Sequence, residues 1–222
     1  MTTFRLLGRG FSDTLEHLLT FTLLTLGWWI GMMLVIPAPA VTIALFSMTD
    51  PRKAVDRPEW PDVVACVGEQ MRRGWIIAMI TVPPLIVLVL NTQGYAGTTS
   101  GWRWFLPFWV YLIVFGAIGS LYAFSVAALT DLGPLRSVRT GLVLVVATPV
   151  RSVMTLLAIV MVLMIGALLV VPMVMFVPAL IAAVINRMVL AGLRLPVIDP
   201  LQPTPERQLE ERRASTTSRF GP

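Results

Sequence analysis

The chain has 222 residues, 56% of them apolar and only 13% charged, with a mean hydropathy of +0.81. That balance excludes an ordinary soluble fold and suits one small, all-α, polytopic membrane domain. The seventeen basic residues, sixteen Arg and Lys53, outnumber twelve acids, yet they flank apolar runs instead of forming one patch, which fits the positive-inside rule and excludes nucleic acid as the expected partner.

Phe4–His17 is mildly amphipathic: Phe4, Leu7, Phe11, Leu15 and Leu18 recur at helical spacing, and Asp13 with Glu16 resembles a capping box. A surface-lying helix feeding the first span is expected. Leu18–Met48 follows, 31 residues without a charge. Its first part, Leu18–Ile36, reaches about 28 Å at 1.5 Å per residue, enough to cross hydrocarbon. Arg5 and Arg9 ahead of it, and Ala38-Pro39-Ala40 after it, suggest a signal peptide, but the apolar stretch is too long and Val41–Phe46 continues it, so an uncleaved segment is expected. Pro37 and Pro39 then remove two backbone donors. Val41–Met48 is too short to cross alone, which leaves a re-entrant half-helix or a kinked continuation of one long helix. Non-helical backbone at membrane depth must be buried in protein or face a wet cavity, so the break, with Pro37, Pro39 and Thr42, is expected to pack against the third or last span.

Asp50–Arg73 carries Arg52, Lys53, Arg57, Arg72 and Arg73 and is therefore expected on the cytoplasmic side. Within it Pro61 suits a helix start, Val63, Val64, Val67 and Met71 share one face, and Glu69 and Arg73 are spaced to pair. This interfacial helix runs into a second span, Gly74–Leu90, with Trp75 at its cytoplasmic edge and a kink expected at Pro83-Pro84. Asn91–Arg103 is short and external, and Trp102, Trp104 and Trp109 form an aromatic belt where the third span, Trp104–Leu129, begins. Asp131–Arg151 returns inside with Arg136, Arg139 and Arg151, and its apolar core Gly141–Val150 is expected to lie in the interface. The 35 uncharged residues between Arg151 and Arg187 fit a hairpin turning near Val171-Pro172: Ser152–Val170 outward, Met173–Leu190 back. Residues 196–222 read as a disordered cytoplasmic tail beyond a 1–195 membrane domain. The expected whole is four clear transmembrane helices plus the Pro-broken segment, five to six membrane segments in all, in the plasma membrane with both termini cytoplasmic.

Three stretches carry a resemblance. Trp28 and Trp29 precede Pro39-Ala40-Val41-Thr42-Ile43-Ala44-Leu45-Phe46; a basic amphipathic entry, Asp62–Arg73, leads into the next span; and Arg139, a short apolar helix and Arg151 precede two closely spaced spans. Together, over about residues 10–193, they resemble the YesL (DUF624) family of bacterial membrane proteins of unknown function. The family usually has Gly-Pro-Ala-Thr-Thr-Ala-Leu where this chain has Pro-Ala-Pro-Ala-Val-Thr-Ile-Ala-Leu. Members are often encoded beside carbohydrate importers of the ATP-binding-cassette (ABC) type, so the resemblance implies a transport-linked accessory role. It carries no catalytic or binding residues.

All twelve acids fall outside the expected spans, which argues against an ion-coupled transporter with ionisable groups at membrane depth. His17 shares its amphipathic segment with Asp13 and Glu16 and reads as a solvated interfacial side chain. Cys66, the single cysteine, excludes an intramolecular disulfide or a Cys-rich metal site and reads as a small buried hydrophobe. The scattered Met residues read as packing. Gly27 and Gly31, and Gly116 and Gly119, permit close helix approach either within the chain or between copies. No catalytic, cofactor or metal site is expected. The expected function is a non-catalytic accessory or assembly subunit beside a carbohydrate ABC-type transporter; the alternative is a small oligomeric pore. The candidate contacts for a permease partner or for membrane lipids are Arg52, Lys53, Arg57, Arg72, Arg73, Arg136, Arg139 and Arg151.

Overall fold

The computed structural model describes residues 18–53, 60–96, 104–168 and 175–195. The expected helix at Phe4–His17, the residues Arg57 and Arg103, the turn at Val171-Pro172 and the tail lie outside these. Among the described residues there are seven α-helices and no strand: α1 Leu18–Met33, α2 Ala38–Met48, α3 Trp60–Ala96, α4 Leu106–Leu129, α5 Pro134–Ala147, α6 Pro149–Leu168 and α7 Val177–Gly192. A 3-10 turn at Pro51–Lys53 follows α2.

The uncharged N-terminal stretch is neither one long helix nor a kinked one. Pro37 cannot extend α1, and it biases Ile36 away from helix. The chain reverses over four residues, with Val35 at φ 58°. α2 then starts with Pro39 in its first turn, where the missing N–H has no helical acceptor to lose. The two helices close as a hairpin: Trp28 Nε1 donates to Thr42 Oγ1 at 3.2 Å, and Thr42 Oγ1 donates to Ala38 O at 2.9 Å. Gly31 permits the approach, because a Cβ there would sit 2.6 Å from Val41. The turn itself, Ile36 to Pro39, meets α3, while α2 beyond it packs also on the third span, through Ile43 against Ala123 and Ala127, and on the last, through Phe46 against Asn186. Trp75 Nε1 donates to Ile36 O at 2.8 Å, and a Cβ on Gly74 would meet the Pro39 carbonyl carbon at 2.8 Å.

α3 is continuous over 37 residues, so the amphipathic entry and the second span are one helix that runs unbroken through Pro83 and Pro84. Pro61 and Asp62 occupy its first turn, where a proline costs no bond and a carboxylate meets the positive end of the helix dipole. α4 runs antiparallel to it: Leu85 packs over Gly116, and Tyr95 stacks on Trp109 at 5.7 Å. α5 then lies on α4, with Gly141 against the Ala123 backbone and Leu142 over Gly119. The apolar run expected at Gly141–Val150 is therefore divided. Thr148, placed before Pro149, leaves the helix at φ −128°, ψ 64°, and ends α5, while Pro149 begins α6.

α7 is the most completely buried helix. Ala179, Ala182, Ile185, Met188, Val189 and Leu190 are buried against a core that includes Phe46, Tyr122 and Val126. The outside is apolar too. Met79, Ile86, Val87 and Leu90 on α3, and Leu157, Met161, Met164 and Leu168 on α6, are all exposed. Three helices, α3 within Pro61–Tyr95, α4 and α6, are long and apolar enough to cross a membrane; the apolar helices α1, α2 and α7 are shorter. An apolar exterior of that extent belongs in lipid, not in water.

Candidate functional site

The polar chemistry of the described residues gathers where helices end. The last carbonyls of any helix lack intrahelical donors and must be met by other groups when buried. At the end of α2, Thr49 turns its hydroxyl back to Leu45 O at 2.9 Å. Asn186, fully buried in the middle of α7, donates from Nδ2 to Phe46 O at 2.6 Å and to Thr49 Oγ1 at 3.1 Å. Its Oδ1 accepts from Ser125 Oγ on α4 at 2.7 Å. One amide thus ties α7, α2 and α4 together. A second buried link joins Tyr122 on α4 to Thr155 on α6, 3.0 Å between hydroxyls, and Ser152 donates to Val145 O across the α5–α6 break at 3.2 Å.

The C-terminus of α4 is closed by arginines. Asp50, 3% exposed, holds Arg52 through Nε at 3.1 Å and NH2 at 2.8 Å. The same NH2 donates to Leu129 O at 2.8 Å. Arg73 NH2 donates to Thr130 O at 2.9 Å and also to Leu132 O. Cationic donors at the negative end of a helix are favourable on both hydrogen-bond and dipole grounds.

These contacts divide the eight basic residues proposed from sequence. Arg52 and Arg73 are turned inward as caps, so Arg73 NH2 faces backbone carbonyls and not a partner. Arg72, Arg136 and Arg139 are exposed and Arg151 is half-buried. Lys53 belongs to the 3-10 turn, its side chain outside the description, as is all of Arg57. The Arg52 and Arg73 contacts do bring the two basic segments, Asp50–Arg73 and Asp131–Arg151, together at the end of α4. Thr42 and Pro39 serve the α1–α2 hairpin, and Pro37 is the residue before α2.

Asn186 has no place in a reading based on charge. A signal was present: apart from Ser152 and Thr155 it is the one polar residue among the 35 uncharged residues between Arg151 and Arg187. Cys66 is half-buried. Gly31, Gly116 and Gly119 each face a side chain of the same chain, so internal packing accounts for them. Gly27 instead lines an apolar groove of about 280 Å³ between α1, α2 and the start of α3, with Leu24, Val41 and Val64. A second groove of about 250 Å³ lies on the other side of the hairpin, lined by Trp29, Leu121, Ile159 and Ile181. Both suit hydrocarbon. No group of three or more His, Cys, Asp or Glu side chains placed to hold a metal occurs among the described residues.

The chain matches no model of a known protein family, no curated protein and no solved structure.

Proposed function

We propose that this is a multi-pass, non-catalytic protein of the plasma membrane that serves as an accessory or assembly subunit beside a carbohydrate transporter of the ABC type. In this reading α3, α4, α6 and α7 cross the bilayer, and both termini and the two basic segments lie on the cytoplasmic side. One observation carries it: the buried side chains of Asn186, Ser125, Thr49 and Asp50, with the partly buried Arg52, are engaged with one another and with helix-end carbonyls. Groups so engaged hold helices in place and offer no vacant ligand to a substrate. The likeness of Trp28, Trp29 and Pro39–Phe46 to the YesL family supports the transporter link.

The exposed Arg72, Arg136 and Arg139 are then the docking groups, since guanidinium forks suit carboxylates on a partner. The test is reciprocal purification from crosslinked native membranes, with the tag first on this chain and then on an importer permease. The expected result is recovery of each with the other, weakened by Arg72→Lys, Arg136→Lys and Arg139→Lys together. Association that survives the triple change would refute fork-specific docking and leave charge alone. Solute flux through liposomes holding only the purified chain would overturn the accessory reading in favour of a pore.

A further inference from the structure

The apex of the α1–α2 hairpin is apolar at every side chain and internally bonded at every N–H. Met33 is 84% exposed, Leu34 62%, Val35 65% and Ile36 68%. A water-facing turn leaves backbone donors to solvent, but this one does not. Leu34 N–H donates to Ile30 O, Val35 N–H to Met32 O, Ile36 N–H to Leu34 O and Ala38 N–H to Val35 O, while Pro37 has no N–H. The Ile36 carbonyl accepts from the Trp75 indole. Val35 takes φ 58°, a region that opposes β-branched residues, and this lets Ile36 N–H close back on Leu34 O. With every N–H at the apex paired, the turn meets the demand that hydrocarbon places on backbone donors.

Length limits the depth. The foot of α2 is fixed to the end of α4 by Arg52, whose guanidinium bridges Asp50 and Leu129 O. From that foot α2 has 11 residues, about 16 Å, so the apex cannot pass the middle of a hydrocarbon layer of about 30 Å, and its contacts with Gly74 and Trp75, beside the Arg73 that caps α4, hold it in the half nearer that foot. The 24 residues of α4 reach about 36 Å from the same end and cross it fully. No charged side chain occurs in the 32 residues between His17 and Asp50 that would place the apex in water.

We infer that α1 and α2 form a re-entrant hairpin whose apex, Met33–Ile36, ends among lipid acyl chains partway across the bilayer. The inference rests on the membrane reading above and is independent of the accessory role. It leaves Arg5 and Arg9 on the same side as Arg52 without requiring α2 to cross.

Single cysteines in a Cys66→Ala background test it, with Met33→Cys and Val35→Cys at the apex and Asp56→Cys and Gly97→Cys to mark the two faces. Intact spheroplasts and inverted vesicles are treated with a membrane-impermeant maleimide. Positions 56 and 97 should label from opposite sides only, and positions 33 and 35 from neither, although both react once the membrane is dissolved. A nitroxide at position 33 in proteoliposomes should collide more readily with oxygen than with a water-soluble nickel chelate. Labelling of 33 or 35 from either side, or readier collision with nickel, would place the apex in water and overturn the inference. If 56 and 97 label from the same side, the membrane topology fails first and the hairpin with it.

Discussion

Replacing Asn186 by leucine removes three hydrogen bonds from a fully buried site: those to Phe46 O and Thr49 Oγ1, and the one from Ser125 Oγ. Interhelical hydrogen bonds inside membranes average about 0.6 kcal/mol and reach about 1.7, so the set is worth about 2 kcal/mol and at most about 5. The lower figure is expected. Thr49 Oγ1 already lies 2.9 Å from Leu45 O and 3.3 Å from Phe46 O, and Ser125 sits on a helix whose own carbonyls can take its proton, so no group is left wholly without a partner. Leucine offers no compensating hydrophobic gain, because lipid tails are as apolar as leucine itself. Equilibrium unfolding in mixed dodecyl maltoside and dodecyl sulfate micelles, followed by tryptophan fluorescence, should show the loss. Ser125→Ala should cost about 0.6 kcal/mol alone and close to nothing when added to Asn186→Leu, because its partner is then already gone. An Asn186→Leu protein as stable as the parent, or full additivity of the two changes, would refute the amide as the link between α7, α2 and α4.

Three further outcomes separate packing from polar effects in the same unfolding assay. Gly141→Ala and Gly74→Ala each place a Cβ under 3 Å from backbone of Ala123 and Pro39 and should lose about 1–3 kcal/mol, whereas Gly68→Ala, with nothing within 4 Å, should gain about 0.5–1 kcal/mol; equal effects at the three sites would contradict the helix contacts. Thr25→Val should stabilise by about 1 kcal/mol, since the fully buried Thr25 Oγ1 has no hydrogen-bond partner among the described residues; a loss would reveal a partner. Arg73→Lys should destabilise by about 1 kcal/mol, one ammonium being a poor substitute for a guanidinium that bridges Thr130 O and Leu132 O, while Arg72→Lys leaves stability unchanged. The reverse order would make Arg72 the cap.

Hydropathy located the long apolar helices well, because hydrocarbon excludes charge over a fixed thickness and so marks the chain every twenty residues or so. The same rule is silent on what happens between marks. Pro37 announces that α1 must stop, but the reversal depends on Val35 entering a left-handed conformation, on Trp28 reaching Thr42 and on Trp75 reaching Ile36, none of them adjacent in sequence. Charge counting had a further blind spot. Arg72 and Arg73 are neighbours that contribute equally to orientation, yet one helical step of about 100° exposes the first and turns the second onto the end of α4. A guanidinium counts the same toward the positive-inside rule whether it meets phosphate, a partner's carboxylate or a carbonyl of its own chain. Which of these it meets is set by where a different helix happens to end. For this protein the informative polar residues are accordingly those beside helix termini, Asn186 at α2 and Arg52 and Arg73 at α4, and a search for function belongs with the arginines that no terminus has claimed.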